Sequence, residues 1–129
     1  MTYYEQQVHL LKKAYFPEEV ICRQVISAKE FIDRHFDGSI SLSEIAGAAC
    51  FSRFHFLRLF KNLYGCTPHQ YLTARRIEEA MQLLQKNVPV REVCFAVGFE
   101  SIPSFKTLFK KHTRHTPAAF QKKQYRIQR

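Results

Sequence analysis

The stretch SRFHFLRLFKNLYGCTPHQY, from Ser52 to Tyr71, occurs again 49 residues later as SIPSFKTLFKKHTRHTPAAF, from Ser101 to Phe120. Seven of the twenty aligned positions are identical: Ser52/Ser101, Phe56/Phe105, Leu59/Leu108, Phe60/Phe109, Lys61/Lys110, Thr67/Thr116 and Pro68/Pro117. A solenoid needs about three or more repeats to bury a continuous core. Two copies instead predict twin modules that do the same thing at two places on one partner.

The rest of the chain carries helical spacing as well. It has only 4 glycines, and its apolar residues recur every three or four positions without the sustained alternation that strands show. An apolar stripe from Val25 to Phe36 predicts a first helix. The stretch from Pro68 to about Lys86 contains no helix breaker and predicts the longest helix, with Thr67 as its cap. These patterns predict an all-α fold.

Each copy of the repeat supplies the second helix of a helix-turn-helix. Two short helices joined by a tight turn are predicted at Leu42–Leu63 and again at Val90–His112. Ser41 and Glu44 have the spacing of a capping box at the start of the first motif. We predict that the second helix of each motif buries an apolar stripe, namely Phe56, Leu59, Phe60 and Leu63 in one and Phe105, Leu108 and Phe109 in the other.

The charge of the chain favours a polyanionic partner. Lys and Arg number 20 against 11 Asp and Glu, a formal net charge of +9. Residues 101–129 hold eight of these cations and no acid. This asymmetry points to nucleic acid first and to an anionic membrane surface second, with a solvated basic face as the alternative.

The cysteines and the apolar runs exclude other classes. The 4 cysteines include no CxxC pair, so we predict neither a metal site nor a cofactor. Cys50 and Cys94 take helical core positions, where free thiols fit a reducing cytoplasm. No apolar run reaches the ~18 residues of a membrane span, and no signal-peptide pattern follows Met1. We expect a cytoplasmic protein without a membrane partner.

The second motif resembles a known family. Val90–Phe120, VREVCFAVGFESIPSFKTLFKKHTRHTPAAF, is close to the second-motif signature of the AraC/XylS transcription regulators, and the resemblance extends over about Ile26–Phe120. The signature positions occupied are Glu92, Gly98, Phe99, Ser101, Phe105, Phe109, Lys110, Thr116, Pro117 and Phe120. Cys94 departs from the usual Ala. The resemblance implies two helix-turn-helix subdomains joined by a long linker helix.

We divide the chain accordingly into four parts. They are an N-terminal arm of unknown role (1–22), a first helix-turn-helix lobe (23–66), a linker helix (67–87) and a second lobe with a basic tail (88–129). The resemblance also implies that Arg75 and Arg76 of the linker helix pack between lobes or pair with an acid, for which Glu78, Glu79 and Glu92 are candidates. We therefore do not count these two arginines among the residues that read bases.

The side chains on the outward faces of the two second helices are the candidate DNA contacts. Candidates for reading bases are Arg53, Phe54, Leu57, Arg58, Ile102, Pro103, Ser104, Lys106 and Thr107. Candidates for holding phosphates are Ser52, His55, Lys61, Ser101, Lys110 and Lys111. Arg58 is the strongest base reader because a guanidinium can bond guanine through two atoms, although a phosphate contact stays open. The serines are more plausible as helix caps than as contacts.

The predicted function is regulation of transcription by sequence-specific binding to double-stranded DNA, and activation is common in the family. One chain would bind as a monomer in successive major grooves, unless a missing sensor domain dimerises it, and RNA polymerase is a further candidate partner. Two alternatives are a DNA-binding fragment of a longer ligand-sensing regulator and an interaction module without sequence-specific binding. We expect no enzyme, since no catalytic constellation occurs, and the lack of a cysteine cluster argues against a DNA-repair methyl acceptor.

Overall fold

The computed structural model describes the backbone of residues 18–48 and 53–128 and the side chains of residues 21–47 and 55–123. Within these ranges the chain forms seven helices and no strand. The helices are α1 (Glu18–His35), α2 (Leu42–Ala48), α3 (Arg53–Tyr64), α4 (Pro68–Gln85), α5 (Val90–Ala96), α6 (Ile102–Thr113) and α7 (Pro117–Gln128). The all-α prediction is confirmed. Helix α1 already includes residues 18–22, and the division into lobes stays a prediction.

Helices α2 and α4 begin at the caps that the sequence predicts. The Thr67 hydroxyl accepts from the Gln70 N–H at 3.1 Å, and the Gln70 side chain accepts from the Thr67 N–H at 3.0 Å, which completes a capping box. The repeat partner Thr116 accepts from the Ala119 N–H at 3.2 Å. Ser41 caps α2 by accepting from the Glu44 N–H. Each bond satisfies one of the four N–H groups that a helix start leaves unpaired.

Two apolar cores hold the helices together, and α4 contributes to both. The first core contains Val25, Ala28, Ile32, Ile45, Ala46, Phe56, Phe60 and Leu72. The second contains Ile77, Ala80, Leu84, Val93, Cys94, Val97, Phe99, Phe105, Phe109 and Phe120. The first half of α4 thus packs on α1–α3, and its second half packs on α5–α7.

The two copies of the repeat pack in the same way. Equivalent ring centroids are separated by 5.6 Å for Phe56–Phe60 and 5.7 Å for Phe105–Phe109, and by 5.9 Å for Phe60–Tyr71 and 5.5 Å for Phe109–Phe120. In each copy the aromatic residue of the following helix, Tyr71 or Phe120, packs edge-on against the second phenylalanine of the stripe. The repeated sequence therefore encodes a repeated core, as predicted.

One predicted core residue lies outside the core. Leu63 is 44% exposed, although we expected it in the buried stripe of α3. Tyr64 packs inward instead, with its ring 4.8 Å from that of Phe60. The stripe continues by steps of four residues from Phe56 through Phe60 to Tyr64, so position 63 turns away from the neighbouring helices.

Polar contacts fix α4 against α1. The Tyr71 hydroxyl donates to Asp33, and burial together with this bond raises the pKa of Tyr71. Arg75 lies 3.6 Å from Asp33 and 3.8 Å from Glu79, with its guanidinium carbon 4.6 Å from the centre of the Phe36 ring. Glu79 was one of the acids predicted to pair with this arginine. Helix α4 is therefore held to α1 and its C-terminal end by charge as well as by apolar packing.

Candidate nucleic-acid interface

The outward face of α6 is a row of exposed polar and basic side chains. Its buried face holds Phe105 and Phe109, and the side chains on the other side are exposed: Pro103, Ser104, Lys106, Thr107, Lys110 and Lys111. Ile102 differs from our prediction, because it is half-buried against the second core. The first turn of α6 lies over that core, so Ile102 has less surface to offer a base than its neighbours have.

The side chains of α3 are described from residue 55 onward. Arg58 and Lys61 are exposed, whereas Leu57 and His55 are half-buried. All four were candidate contacts. Arg58 offers a guanidinium, which suits guanine, and Leu57 offers an apolar side chain, which suits a thymine methyl group.

Three candidates fall where the structure gives no side chain. Arg53 and Phe54 are the first two residues of α3, and the structure does not describe their side chains. Ser52 lies outside the described residues altogether. In the second motif the equivalent Ser101 is described. Its hydroxyl accepts from the Ser104 N–H at 3.4 Å, which makes it the N-cap of α6.

The exposed cations of α3 and α6 have no acidic partner among the described side chains. The ion pairs among the described side chains all join residues of α1 and α4: Lys29–Asp33, Arg34–Glu30, Arg75–Asp33 and Arg75–Glu79. Arg58, Lys61, Lys106, Lys110 and Lys111 therefore keep their positive charge uncompensated. A surface of this kind attracts phosphates over about a Debye length.

Arg114 is a cation at this surface that the sequence analysis did not single out. It is exposed and caps the end of α6 at φ +66°, with its N–H bonded to the Lys110 carbonyl at 2.8 Å. Gly65 takes the same place at the end of α3, with φ +76° and the same bond to the Lys61 carbonyl. Aligning the two repeats places Arg114 opposite Gly65. Because a glycine just after a helix commonly takes the left-handed conformation, this alignment could have indicated the turn at Arg114.

Other kinds of site find no support in residues 18–48 and 53–128. No three His, Cys, Asp or Glu residues of that part of the chain cluster as metal ligands, and no helix in it could cross a membrane. Cys22, Cys66 and Cys94 are free thiols there, and burial raises the pKa of Cys94. Cys50 lies outside the described residues.

Known proteins are similar in sequence to this chain. A family model described as "Helix-turn-helix domain" matches residues 45–123. The probable transcription factor PqrA of Proteus vulgaris is 37% identical over 83 residues, which cover 64% of this chain and 68% of that protein. The bifunctional transcriptional activator/DNA repair enzyme AdaA of Bacillus subtilis is 36% identical over 93 residues, which cover 71% of this chain and 44% of that protein. The chain thus spans less than half the length of AdaA.

Solved structures share the fold. The DNA-binding domain of AdpA, a global transcriptional factor determined in complex with a target DNA, superposes with a TM-score of 0.76 at 28% identity, covering 81% of this chain and 95% of that one. The C-terminal domain of the response regulator AraT of Geobacillus stearothermophilus gives a TM-score of 0.74 at 27% identity, covering 78% and 84%. Together with the family match over more than half of its residues, these likenesses show that the chain belongs to the AraC-type family of helix-turn-helix transcription regulators.

Proposed function

We propose that this chain regulates transcription by binding double-stranded DNA, with α3 and α6 in successive major grooves on one face of the duplex. The observation that carries the proposal is the pair of equivalent helices, each with outward cations, attached to one shared helix. Helix α4 has 18 residues. At ~1.5 Å per residue it spans ~27 Å, near the ~34 Å of one DNA turn.

The side chains divide into two roles in this proposal. Arg58 reads a base pair, and Ser104 and Thr107 hydrogen-bond base edges from α6, because exposed polar side chains in the first half of such a helix reach the groove floor. Arg53, Phe54, Leu57, Pro103 and Lys106 remain base-reading candidates, and Ile102 is a weaker one. Lys61, Lys110 and Lys111 hold phosphates, with Arg114 added to them, and His55 stays a phosphate candidate. Ser101 serves first as a cap, and the same role for Ser52 stays a prediction from the sequence.

The finer assignments extend from this binding mode. We propose activation, with RNA polymerase as a partner, since AdaA carries "transcriptional activator" in its name. The two helices differ in sequence, which favours a monomer on an asymmetric site. The protein would act in the cytoplasm, where bacterial chromosomes lie. Because the chain spans 44% of AdaA, its sequence is also consistent with the DNA-binding part of a longer ligand-sensing regulator.

Selection from a pool of random duplex DNA tests the proposal directly. We expect enrichment of one asymmetric site of about 20 bp, with two unlike half-sites one turn apart. Sedimentation of the complex should give one chain per duplex. A pool that enriches no sequence would overturn sequence-specific binding, and a strict palindrome occupied only by two chains would overturn the monomeric mode.

Salt dependence measures the phosphate contacts separately. We expect log K to fall with log[salt] by about 0.9 for each phosphate contacted, because bound cations release counterions from the DNA. Lys111→Ala should weaken all sequences alike and flatten that slope by about one unit.

Arg34→Ala is the control for this titration. It removes one positive charge, as Lys111→Ala does, but from α1, where Arg34 pairs with Glu30 at 3.5 Å. Helix α1 does not contact DNA in the proposed binding mode. Its slope should equal that of the unaltered protein. If Lys111→Ala left the slope unchanged, Lys111 would not be a phosphate contact.

A further inference from the structure

The turn of the second helix-turn-helix packs directly on the first lobe. Gly98, between α5 and α6, has φ +101°. A Cβ atom at this position would lie 2.7 Å from the carbonyl oxygen of Phe36 and 3.1 Å from the carbonyl carbon of Asp37, both just beyond the end of α1. These separations are shorter than normal contacts, so only glycine allows the two backbones to approach in this way.

One side chain of α4 bonds to the same segment. Arg76 donates through Nε to the Phe36 carbonyl at 2.6 Å and through Nη2 to the Gly38 carbonyl at 2.8 Å. Both carbonyls lie just beyond the end of α1, where the chain has left the helix, so the guanidinium supplies them with hydrogen-bond donors.

Arg76 faces the second lobe as well. Its guanidinium carbon lies 5.8 Å from the centre of the Phe99 ring, and its Nε is 3.0 Å from the position of a Gly98 Cβ. Burial lowers the pKa of Arg76, while the charges of Glu100 and Asp37 act to raise it. An arginine stays protonated under these conditions, so its positive charge interacts favourably with both of these acids.

We propose that this contact, which we call the lobe latch (Phe36–Gly38, Arg76 and Gly98), sets the spacing of half-sites that the protein accepts on DNA. Helix α4 alone is a single connection, and long helices bend. The latch adds a second connection away from the axis of α4, close to the start of α6. Arg76 and Gly98 are then positioning residues that determine spacing specificity without touching DNA. This inference rests on the proposed function.

The first test compares variants on duplexes in which the half-sites of the selected site are moved apart or together by one or two base pairs. Each base pair rotates one half-site by about 35° relative to the other, so a rigid protein should prefer one spacing by about tenfold. In Arg76→Met, which removes both carbonyl bonds but keeps an apolar chain, that preference should fall to about twofold. Gly98→Ala should flatten the profile in the same way.

Gly65→Ala is the matched control, since Gly65 also has positive φ but no atom within 4 Å of a Cβ there. It should keep the spacing preference of the unaltered protein even if its stability falls. Circular dichroism at the assay temperature corrects each affinity for the folded fraction. If Arg76→Met lowered affinity by one common factor at every spacing, Arg76 would be merely structural and the inference would be overturned.

A second measurement needs no DNA. Residual dipolar couplings should give one alignment tensor for both lobes of the unaltered protein and two different tensors for Arg76→Met. A shared tensor in the variant, or separate tensors in the unaltered protein, would overturn the latch. If the unaltered protein bound no duplex at all, the proposed function would fail and the spacing role with it, an outcome distinct from binding with an unchanged spacing profile.

Discussion

Phe109→Ala is expected to lower the free energy of unfolding by about 3–5 kcal/mol. The ring of Phe109 is fully buried and lies 5.7 Å from the Phe105 ring and 5.5 Å from the Phe120 ring, so its removal leaves a cavity where α6 meets α7. A domain of this size has about 5–15 kcal/mol in total, so the variant should lose a large share of its stability and unfold at a lower urea concentration. Urea denaturation followed by circular dichroism measures the change.

Phe95→Ala is the control, because it deletes the same side chain where 49% of it is exposed. It should change stability by no more than about 0.5 kcal/mol. DNA binding by Phe109→Ala should be lost only in proportion to the unfolded fraction. If binding were lost while the free energy of unfolding stayed the same, Phe109 would contact DNA, contrary to the core position described above.

Arg58→Ala is expected to cost about 1–3 kcal/mol of binding free energy and to relax the preference at one or two base pairs. Arg58 is exposed on α3 and has no acidic partner among the described side chains, so its guanidinium is available to bond O6 and N7 of a guanine. Affinities for duplexes with single base-pair changes across the selected site measure the effect.

Arg58→Lys separates reading from attraction. It keeps the charge but lacks the planar fork that bonds guanine at two atoms, so it too should lose base preference while keeping the salt slope. Lys111→Ala should instead keep the base preference and flatten the salt slope. If Arg58→Ala lowered affinity uniformly and left the preference unchanged, Arg58 would hold a phosphate, and base reading would have to be assigned to Arg53 or to α6.

Local chemistry explains how much of the fold could be predicted from the sequence. A cap bond joins residues three apart in sequence, so Thr67 and Ser101 indicate where helices begin even when the tertiary structure is unknown. The paired Phe stripes likewise follow from helical spacing alone. Leu63 shows the limit of that reasoning, because spacing defines an apolar face but does not say where neighbouring helices stop covering it.

Local chemistry could not predict the long-range contacts, and for Arg75 and Arg76 only the family resemblance indicated a packing role, without naming the backbone acceptors. The bonds from Arg76 to the Phe36 and Gly38 carbonyls join residues 40 and 38 positions apart, and their acceptors are backbone atoms that leave no trace in residue type. Gly98 was recognised as a signature position, but not as the place where two lobes touch. Among the site residues, exposure distinguished Ile102 from Ser104 and Thr107, which helical periodicity had treated alike.

The sharing of α4 by two cores has a consequence for residence time in the proposed complex. Leu72 fixes one half of the helix and Leu84 the other, so α4 is not a flexible tether. Once α3 is bound, α6 is held at its own groove, and its binding becomes an intramolecular event with a high effective concentration. If one of the two helices dissociated from its groove, it would usually rebind before the other dissociated. Two weak contacts could thus give avidity about 10²–10⁴-fold above either alone.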